Sequence, residues 1–166
     1  MLDFLRETWR KTVARLEIGA KAPTFALANQ SGKSISLKDF SGERFVIYVY
    51  PADDTPGCTK EACQFNDGLA AFRKLGVKVI GVSPDGAEKH VAFRKKYGLT
   101  FDLLSDPNRS VMTKYGAYGE KMMYGKKVTG VIRSTFVVGP TGTIEHAWYN
   151  VRADGHADKV LATLTN

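Results

Sequence analysis

A continuous apolar run at residues 45–50, Phe-Val-Ile-Tyr-Val-Tyr, is the strongest pattern in the chain. Runs of β-branched and aromatic residues without polar alternation are typical of strands buried on both faces of a sheet. A turn rich in proline and aspartate follows, and a helical pattern then extends from Gly57 to about Lys74 before Gly76 ends it. Residues 77–83 predict another strand, so this segment is a strand–helix–strand unit whose two strands lie parallel.

Weaker patterns on either side complete an α/β domain with a central mixed sheet flanked by helices. Residues 116–130 carry glycines and aromatic residues without a regular period, so we predict a loop there. The inner face of the second helix is assigned to Val91, Phe93 and Tyr97. The remaining predicted elements are an N-terminal hairpin of 24–28 with 34–37, a helix over 86–97, a strand at 103–104, a helix over 108–115, a hairpin of 133–138 with 143–149, and a helix over 156–164.

Apolar residues at three- and four-residue spacing in 2–17 predict an extra N-terminal helix ahead of a single domain at 18–166. The stretch carries only about one net positive charge, so docking on the protein or on another subunit is favoured over a membrane surface. The first seven residues contain acids and no apolar core, which argues against a signal peptide. No run of 18 apolar residues is present to predict a spanning helix.

The composition is that of an ordinary globular protein, with 43% hydrophobic and 25% charged residues among 166. Two cysteines do not form a disulfide framework, so we expect a reducing compartment, the cytoplasm. The net charge of +7 comes from basic residues spread along the chain, with the densest run only Arg94-Lys95-Lys96. Such a distribution favours a solvated surface, and no nucleic-acid or membrane partner is predicted.

Cys58 lies where the turn passes into the first turn of the predicted helix. The first N–H groups of a helix have no partner within it and carry partial positive charge, so a thiol there loses its proton more easily. Asp53 and Asp54 oppose the thiolate, but their effect through water at roughly 8 Å is small, and Lys60 partly offsets it. We interpret Cys58 as a reactive thiol rather than as a small buried hydrophobe.

Cys63 follows five residues later on the same helix. In a regular helix the two Cα atoms stand about 8.7 Å apart, whereas a disulfide needs Cα atoms within about 7 Å. A bond between these thiols would therefore require local unwinding of the helix. Because Cys63 lies between Ala62 and Phe65, an ordinary core position is the open alternative.

Neither a metal nor an organic cofactor is predicted. His90, His146 and His156 are widely separated, and C-x4-C alone is a poor zinc signature. A catalytic cysteine–histidine pair has no support in the spacing. The glycines of 116–130 fit neither the dinucleotide-binding pattern nor the phosphate-binding loop.

The residues Pro51, Thr55 and Cys58 occur in the order P-x-x-x-T-x-x-C, and the chain thereby resembles the peroxiredoxins. Three pieces of this motif resemble more narrowly the bacterioferritin comigratory protein, or Q-type, peroxiredoxins: Tyr50-Pro51, Asp54-Thr55-Pro56-Gly57-Cys58-Thr59 and Glu61-Ala62-Cys63. The resemblance extends from residue 18 to about residue 164. It implies a thioredoxin-like fold and a thiol peroxidase that reduces hydrogen peroxide and alkyl hydroperoxides in antioxidant defence.

The resemblance also implies a role for each matching residue. Cys58 matches the peroxidatic cysteine, whose thiolate attacks the peroxide and becomes a sulfenic acid. Thr55 matches the threonine whose hydroxyl bridges thiolate and peroxide, besides capping the helix, and Pro51 matches the proline that shields the thiolate. Gly57 would offer its backbone N–H to the peroxide, as would Cys58. Arg133, which its pattern alone would place on the surface, matches the arginine that completes the site.

Cys63 matches the resolving cysteine of those Q-type members that form an intramolecular disulfide, the atypical two-cysteine arrangement. Thioredoxin or a thioredoxin-like protein would then reduce the Cys58–Cys63 bond. The resemblance implies no cofactor, and we expect a monomer.

Two other functions use the same features of the sequence. A redox relay would pass the disulfide to one client protein and be trapped with it as a mixed disulfide, instead of turning over repeatedly with thioredoxin. A holdase or nucleic-acid binder would use the basic surface, and its binding would survive physiological salt and the loss of both cysteines.

Overall fold

The computed structural model describes residues 15–166, so most of the helix predicted over 2–17 lies outside the described residues. Residues 15–17 have irregular backbone. The following residues run beside the end of the chain's last hairpin, where Gly19 donates its N–H to the Ile144 carbonyl at 2.8 Å. The N-terminal extension and its boundary at residue 18 stay predictions.

Strands and helices alternate through most of the described chain. The strands are β1 (Ala26–Ala28), β2 (Ser34–Ser36), β3 (Arg44–Val49), β4 (Val77–Ser83), β5 (Asp102–Ser105), β6 (Tyr118–Met123), β7 (Lys126–Val131), β8 (Ser134–Val138) and β9 (Ile144–Tyr149). The helices are α1 (Pro56–Asp67), α2 (Leu69–Lys74), α3 (Ala87–Tyr97), α4 (Ser110–Lys114) and α5 (His156–Thr165), with a 3-10 turn at Leu37–Phe40.

The central sheet has five strands in the order β5-β4-β3-β8-β9. β3 pairs in parallel with β4, and β4 with β5, whereas β8 is antiparallel to β3 and to β9. The predicted parallel unit and the mixed sheet are therefore confirmed. Val49, near the end of β3, lies opposite Ser134, the first residue of β8. This register brings the residues that precede β8 close to those that follow β3.

β3 is buried on both faces, as its apolar run predicts, and its side chains alternate between two core clusters. Ile47 and Val49 belong to one cluster, and Tyr48 and Tyr50 belong to the other. The Tyr48 ring stacks on Phe65 of α1 with centroids 4.6 Å apart. Burial of one such side chain contributes about 1.5–3 kcal/mol, so this contact fixes α1, and with it Cys58, on the sheet.

The loop prediction for residues 116–130 is wrong, because β6 and β7 form a two-stranded antiparallel hairpin there. Tyr124 and Gly125 both have positive φ, 52° and 76°, which is the backbone of a tight hairpin turn. Most side chains of the hairpin are exposed or half-buried. A hairpin without a buried face produces no alternation of apolar and polar residues, which explains the missed prediction.

Two details of the helix predictions are also corrected. The helix predicted to run from Gly57 to about Lys74 is interrupted at Gly68, which ends α1 and precedes α2. The apolar spacing continues across this glycine, so periodicity alone could not locate the break. In α3, Val91 is 49% exposed, and His90 is buried with Phe93 instead. The remaining predicted elements agree with the structure to within a few residues.

Candidate active site

Cys58 lies in the first turn of α1 and is 1% exposed. Thr55 occupies the N-cap position with extended backbone, and Pro56 begins the helix. The N–H of Thr59 donates to the Thr55 carbonyl at 2.8 Å. The N–H groups of Gly57 and Cys58 precede this bond and therefore have no partner within the helix. Their partial positive charges lie at the helix end where the sulfur is held.

Arg133 lies beside the thiol, on the short link between β7 and β8. Its Nη2 donates to the Cys58 Sγ at 3.2 Å, and its Nη1 donates to Glu61 Oε1 at 2.7 Å. The guanidinium packs close to the backbone of Gly57, since a Cβ at that position would be in van der Waals contact with Nη2 at 3.4 Å. The side chain is only 17% exposed. A permanent positive charge thus faces the sulfur from a residue 75 positions away.

Glu61 also belongs to this cluster, although the sequence pattern predicted no role for it beyond its place in the Glu61-Ala62-Cys63 motif. It lies one helical turn after Cys58 and is 0% exposed, and in the described part of the chain its Oε2 has no hydrogen-bond partner. Burial raises the pKa of Glu61 to about 7, although the charge and hydrogen bond of Arg133 act in the opposite direction. An i, i+3 spacing places two residues on the same helix face, and that spacing is the sequence signal that could have identified Glu61.

Thr55 and Pro51 lie in the segment that leads from β3 into α1. The expected side-chain cap is wrong, because the Thr55 hydroxyl donates to the Ala52 carbonyl at 3.0 Å instead of accepting from the helix. Thr55 is exposed and Pro51 is half-buried. Both residues therefore lie on the solvent-facing side of the 51–55 segment, which precedes Cys58.

The two acids that were expected to oppose the thiolate are each paired with a positively charged or proton-bearing partner. Asp53 lies 2.6 Å from Nδ1 of His90, and Asp54 accepts from Lys96 at 2.9 Å. The hydrogen bonds of Asp54 lower the pKa of its carboxyl. Compensated charges act more weakly at a distance than isolated ones, so their effect on the sulfur is smaller than the sequence suggested.

Cys63 is half-buried on α1, and both cysteines are free thiols. Five residues of intact helix separate them, which corresponds to about 8.7 Å between Cα atoms. Burial raises the pKa of Cys63, and the charge of Asp67 raises it further. In this folded form of the helix the two thiols cannot be joined.

Gln64 fastens α1 to the loop that precedes α5. Its amide nitrogen donates to Asp154 Oδ1 at 2.8 Å, and its amide oxygen accepts from the Gly155 N–H at 2.8 Å. Lys60 lies 3.5 Å from the same Asp154 in an exposed ion pair. The two hydrogen bonds of Gln64 lie immediately after Cys63, so they hold the end of the segment between the two cysteines in its helical form.

His156, the first residue of α5, is a neutral buried group behind the site. Its Nε2 lies 2.8 Å from the Thr135 hydroxyl, and its ring packs edge-on against Phe65 and Trp148. The pKa of His156 is lowered from 6.5 to about 4, chiefly by burial and to a smaller extent by the charges of Lys159 and Arg133. The folded chain therefore accepts a proton here much less readily than the unfolded chain does.

This difference predicts a loss of stability in acid. Because the folded pKa is depressed, the contribution of His156 is complete above pH 6.5 and is lost as the pH falls towards 4. At about 1.4 kcal/mol per pKa unit, we expect wild type to lose about 2–3 kcal/mol more unfolding free energy than His156→Gln between pH 7 and 4.5. Urea unfolding of wild type and His156→Gln at pH 7 and pH 4.5 measures this difference in unfolding free energy.

The comparison with the variant is necessary because Glu61 acts in the opposite sense over the same range. Its raised pKa gives a contribution that is complete below pH 4.5 and is lost as the pH rises through about 7. Equal losses in wild type and His156→Gln would contradict the assignment of the acid sensitivity to His156.

Within residues 15–166, clusters of metal ligands and membrane-spanning helices are both absent. No three His, Cys, Asp or Glu side chains of this part of the chain gather closely enough to hold a metal ion. No helix of the same described range has the length and apolar character needed to cross a membrane.

Comparison with known proteins places this geometry in a wider context. The family model described as AhpC/TSA matches residues 18–147. A relative from Mycobacterium tuberculosis is 55% identical over 151 residues, which are 91% of this chain and 96% of the relative. The peroxiredoxin Bcp of Bacillus subtilis is 40% identical over 149 residues, 90% of this chain and 95% of that protein.

A solved structure of similar fold is the bacterioferritin comigratory protein of Xanthomonas campestris, which was studied for alkyl peroxide reduction. It superposes with a TM-score of 0.82 and 41% identity, over 90% of this chain and 96% of that one. The mixed sheet flanked by helices matches such structures, which confirms the thioredoxin-like fold predicted from the sequence.

Proposed function

This chain belongs to the AhpC/TSA family as a peroxiredoxin of the bacterioferritin comigratory protein type, and we propose that Cys58 is its peroxidatic thiol and Cys63 its resolving thiol. The observation that carries the proposal is the contact of 3.2 Å between Arg133 Nη2 and the Cys58 sulfur at the start of α1. A cation and free helix N–H groups meet at one sulfur, and these are the donors that a nucleophilic cysteine requires.

In the first step the Cys58 thiolate attacks the terminal oxygen of the peroxide. An S–O bond forms as the O–O bond breaks, so the sulfur is oxidised to a sulfenic acid and the peroxide is reduced to an alcohol or water. The departing oxygen develops negative charge and takes a proton from solvent. Arg133 and the N–H groups of Gly57 and Cys58 are fixed donors that stabilise this charge without reorganisation. Thr55 and Pro51 would border the peroxide on the open side.

In the second step Cys63 attacks the sulfenic sulfur. An S–S bond forms and hydroxide leaves, which becomes water. The distance across intact α1 forbids this step, so the helix between the two cysteines unwinds in each cycle. Unwinding also moves Cys63 into water and removes the burial that raises its pKa in the folded helix.

The resulting disulfide requires a two-electron thiol reductant. Membership of the family favours thioredoxin or a thioredoxin-like protein as this reductant. We propose that the chain acts as a monomer, since Arg133 reaches both Cys58 and Glu61 within one chain and the reaction at Cys58 needs no group from a second copy. A reducing compartment such as the cytoplasm suits two free thiols.

The experiment that tests the proposed function is a coupled assay with hydrogen peroxide or cumene hydroperoxide, thioredoxin, thioredoxin reductase and NADPH. We expect sustained oxidation of NADPH that depends on both peroxide and this protein. Absence of peroxide consumption with thioredoxin, glutaredoxin and dithiothreitol alike would overturn the proposal. Stoichiometric capture of one client as a mixed disulfide, without turnover, would favour the redox relay.

The contacts of Gln64 predict how fast the second step proceeds. Gln64→Ala removes two hydrogen bonds that hold α1 against the 154–155 loop, so the unwound form becomes more populated. We expect roughly three- to tenfold faster disulfide formation after one equivalent of peroxide, and less overoxidation at high peroxide, because the sulfenic acid is shorter-lived. Stopped-flow tryptophan fluorescence and mass spectrometry measure the two effects.

Lys60→Ala is the matched control, because it removes only the exposed ion pair with the same Asp154. Exposed pairs contribute little, so its rate of disulfide formation should stay within twofold of wild type. An unchanged rate in Gln64→Ala would show that the loop contacts do not limit unwinding.

A further inference from the structure

Asp53 and His90 form a buried pair that the chemistry of the thiol does not use. One oxygen of Asp53 accepts from the Tyr50 hydroxyl at 2.5 Å, and the other lies 2.6 Å from His90 Nδ1. Nε2 of His90 lies 3.1 Å from the Leu104 carbonyl of β5. The side chains of Asp53 and His90 are 2% and 0% exposed. The pair thus joins the segment after β3 to α3 and to β5.

The protons of this network can be assigned from its partners. A carbonyl oxygen only accepts, so Nε2 of His90 carries a proton. Nδ1 faces a carboxylate oxygen at hydrogen-bond distance. Both ring nitrogens and both carboxylate oxygens therefore have a partner. Fully satisfied buried networks are rigid, so Asp53 has a fixed position relative to α3.

The backbone next to this anchor is held in an unusual conformation. Asp54 has φ +60°, the left-handed region that residues other than glycine seldom adopt. Its carboxylate accepts from Lys96 and Tyr97, both near the end of α3. The N–H of Asp53 donates to the Asp85 carboxylate at 2.6 Å. The hydrogen bonds to Lys96, Tyr97 and Asp85 therefore fix the backbone of Asp53 and Asp54 in this conformation.

The anchored segment carries both Pro51 and Thr55, the residues that border the peroxide under the proposed function. We propose that the buried Asp53–His90 pair is a positioning device that holds the 51–55 segment in the geometry needed for the reaction of Cys58 with peroxide. This inference rests on the proposed function and assigns α3 a part in the first chemical step. Displacement of a substrate-positioning group by 1 Å can cost about a hundredfold in rate.

The test separates the two chemical steps by stopped-flow fluorescence of the reduced protein mixed with hydrogen peroxide. In Asp53→Ala we expect the rate constant for Cys58 oxidation to fall roughly ten- to a hundredfold, while the later rate of disulfide formation stays within twofold of wild type. The second step requires unwinding of α1 between Cys58 and Cys63 and does not use the side chains of Pro51 and Thr55, so a positioning role for the pair changes the second step much less than the first.

Asp53→Asn is the conservative rescue. Its amide oxygen can accept from Tyr50, and its NH2 can donate to a neutral His90 that keeps its Nε2 proton on Leu104. We expect Cys58 oxidation within about threefold of wild type. Tyr50→Phe removes one hydrogen bond to Asp53 without disturbing the ring packing. Its rate constant for Cys58 oxidation should lie between those of wild type and Asp53→Ala, and it replaces Asp53→Ala in the test if that variant does not fold. Lys95→Gln, at an exposed position on α3, is the control and should react as wild type does.

Cys58 oxidation at the wild-type rate in Asp53→Ala or Tyr50→Phe would overturn the inference. Equal losses in both steps, together with a lowered melting temperature, would also overturn it and make the pair merely structural. Failure of the proposed function is distinguishable, because wild type itself would then give no oxidation signal with peroxide.

Discussion

Replacement of Cys58 by serine is expected to lower peroxidase activity by at least about a thousandfold, which corresponds to about 4 kcal/mol of activation free energy. A serine hydroxyl is not ionised near neutral pH and is a weak nucleophile, so the donors around it have no anion to stabilise. Serine is close to cysteine in size, and position 58 is almost fully buried, so the fold should persist. NADPH-coupled turnover with thioredoxin measures the loss.

Cys63→Ser is the matched control in the same helix. It keeps Cys58 and Arg133, so it should still consume the first peroxide per chain at the wild-type rate and stop at the sulfenic acid, or consume a second peroxide and stop at the overoxidised sulfinic acid. Sustained thioredoxin-dependent turnover by Cys63→Ser would mean that another thiol resolves the intermediate. Undiminished activity of Cys58→Ser would contradict the assignment of the peroxidatic thiol.

Arg133→Gln is expected to reduce the rate of Cys58 oxidation about a hundred- to a thousandfold, the usual loss when one fixed donor to a developing anion is removed. The variant loses the positive charge of the guanidinium that contacts the Cys58 sulfur, and it loses the hydrogen bond from Arg133 to Glu61. Because burial already raises the pKa of Glu61 to about 7, this carboxyl can take up a proton when its partner is lost. That protonation limits the damage to the fold.

Arg133→Lys separates charge from geometry. Lysine keeps the positive charge but lacks the planar fork that reaches Cys58 and Glu61 together, so a smaller loss, roughly tenfold, is expected. Stopped-flow oxidation of reduced protein by hydrogen peroxide measures both variants, and thermal unfolding shows whether they are folded. A rate for Arg133→Gln within threefold of wild type would contradict the role of this arginine.

The elements around Cys58 could be predicted from sequence because each has a strong local signal. β3 is an unbroken apolar run, and the proline-rich turn marks the start of α1. The hairpin of β6 and β7 has no buried face and so gave no alternation to detect. The break at Gly68 lies inside a continuous apolar period. Local pattern thus identified the elements that pack on the core and missed those that do not.

In the site, too, the features encoded by local sequence could be predicted, and the contacts between distant residues could not. The position of Cys58 at a helix start is a local property, and the pattern predicted it. The contact of Arg133 with Cys58 joins residues far apart in the chain, and it was expected only through the resemblance to the Q-type peroxiredoxins. The pair of Asp53 with His90 depends on how α3 packs against β3, which no local spacing encodes. The role of each residue in the reaction stays a prediction that the variants above test.

The central claim is that peroxide oxidises Cys58 and that Cys63 then reaches it by unwinding of α1. Mass spectrometry after one equivalent of hydrogen peroxide and alkylation of the remaining thiols tests this most directly. We expect the loss of two hydrogen atoms, no alkylation, and a Cys58–Cys63 link within one chain. If both thiols stayed free and alkylatable, Cys58 would not react with peroxide, and neither proposed step would occur.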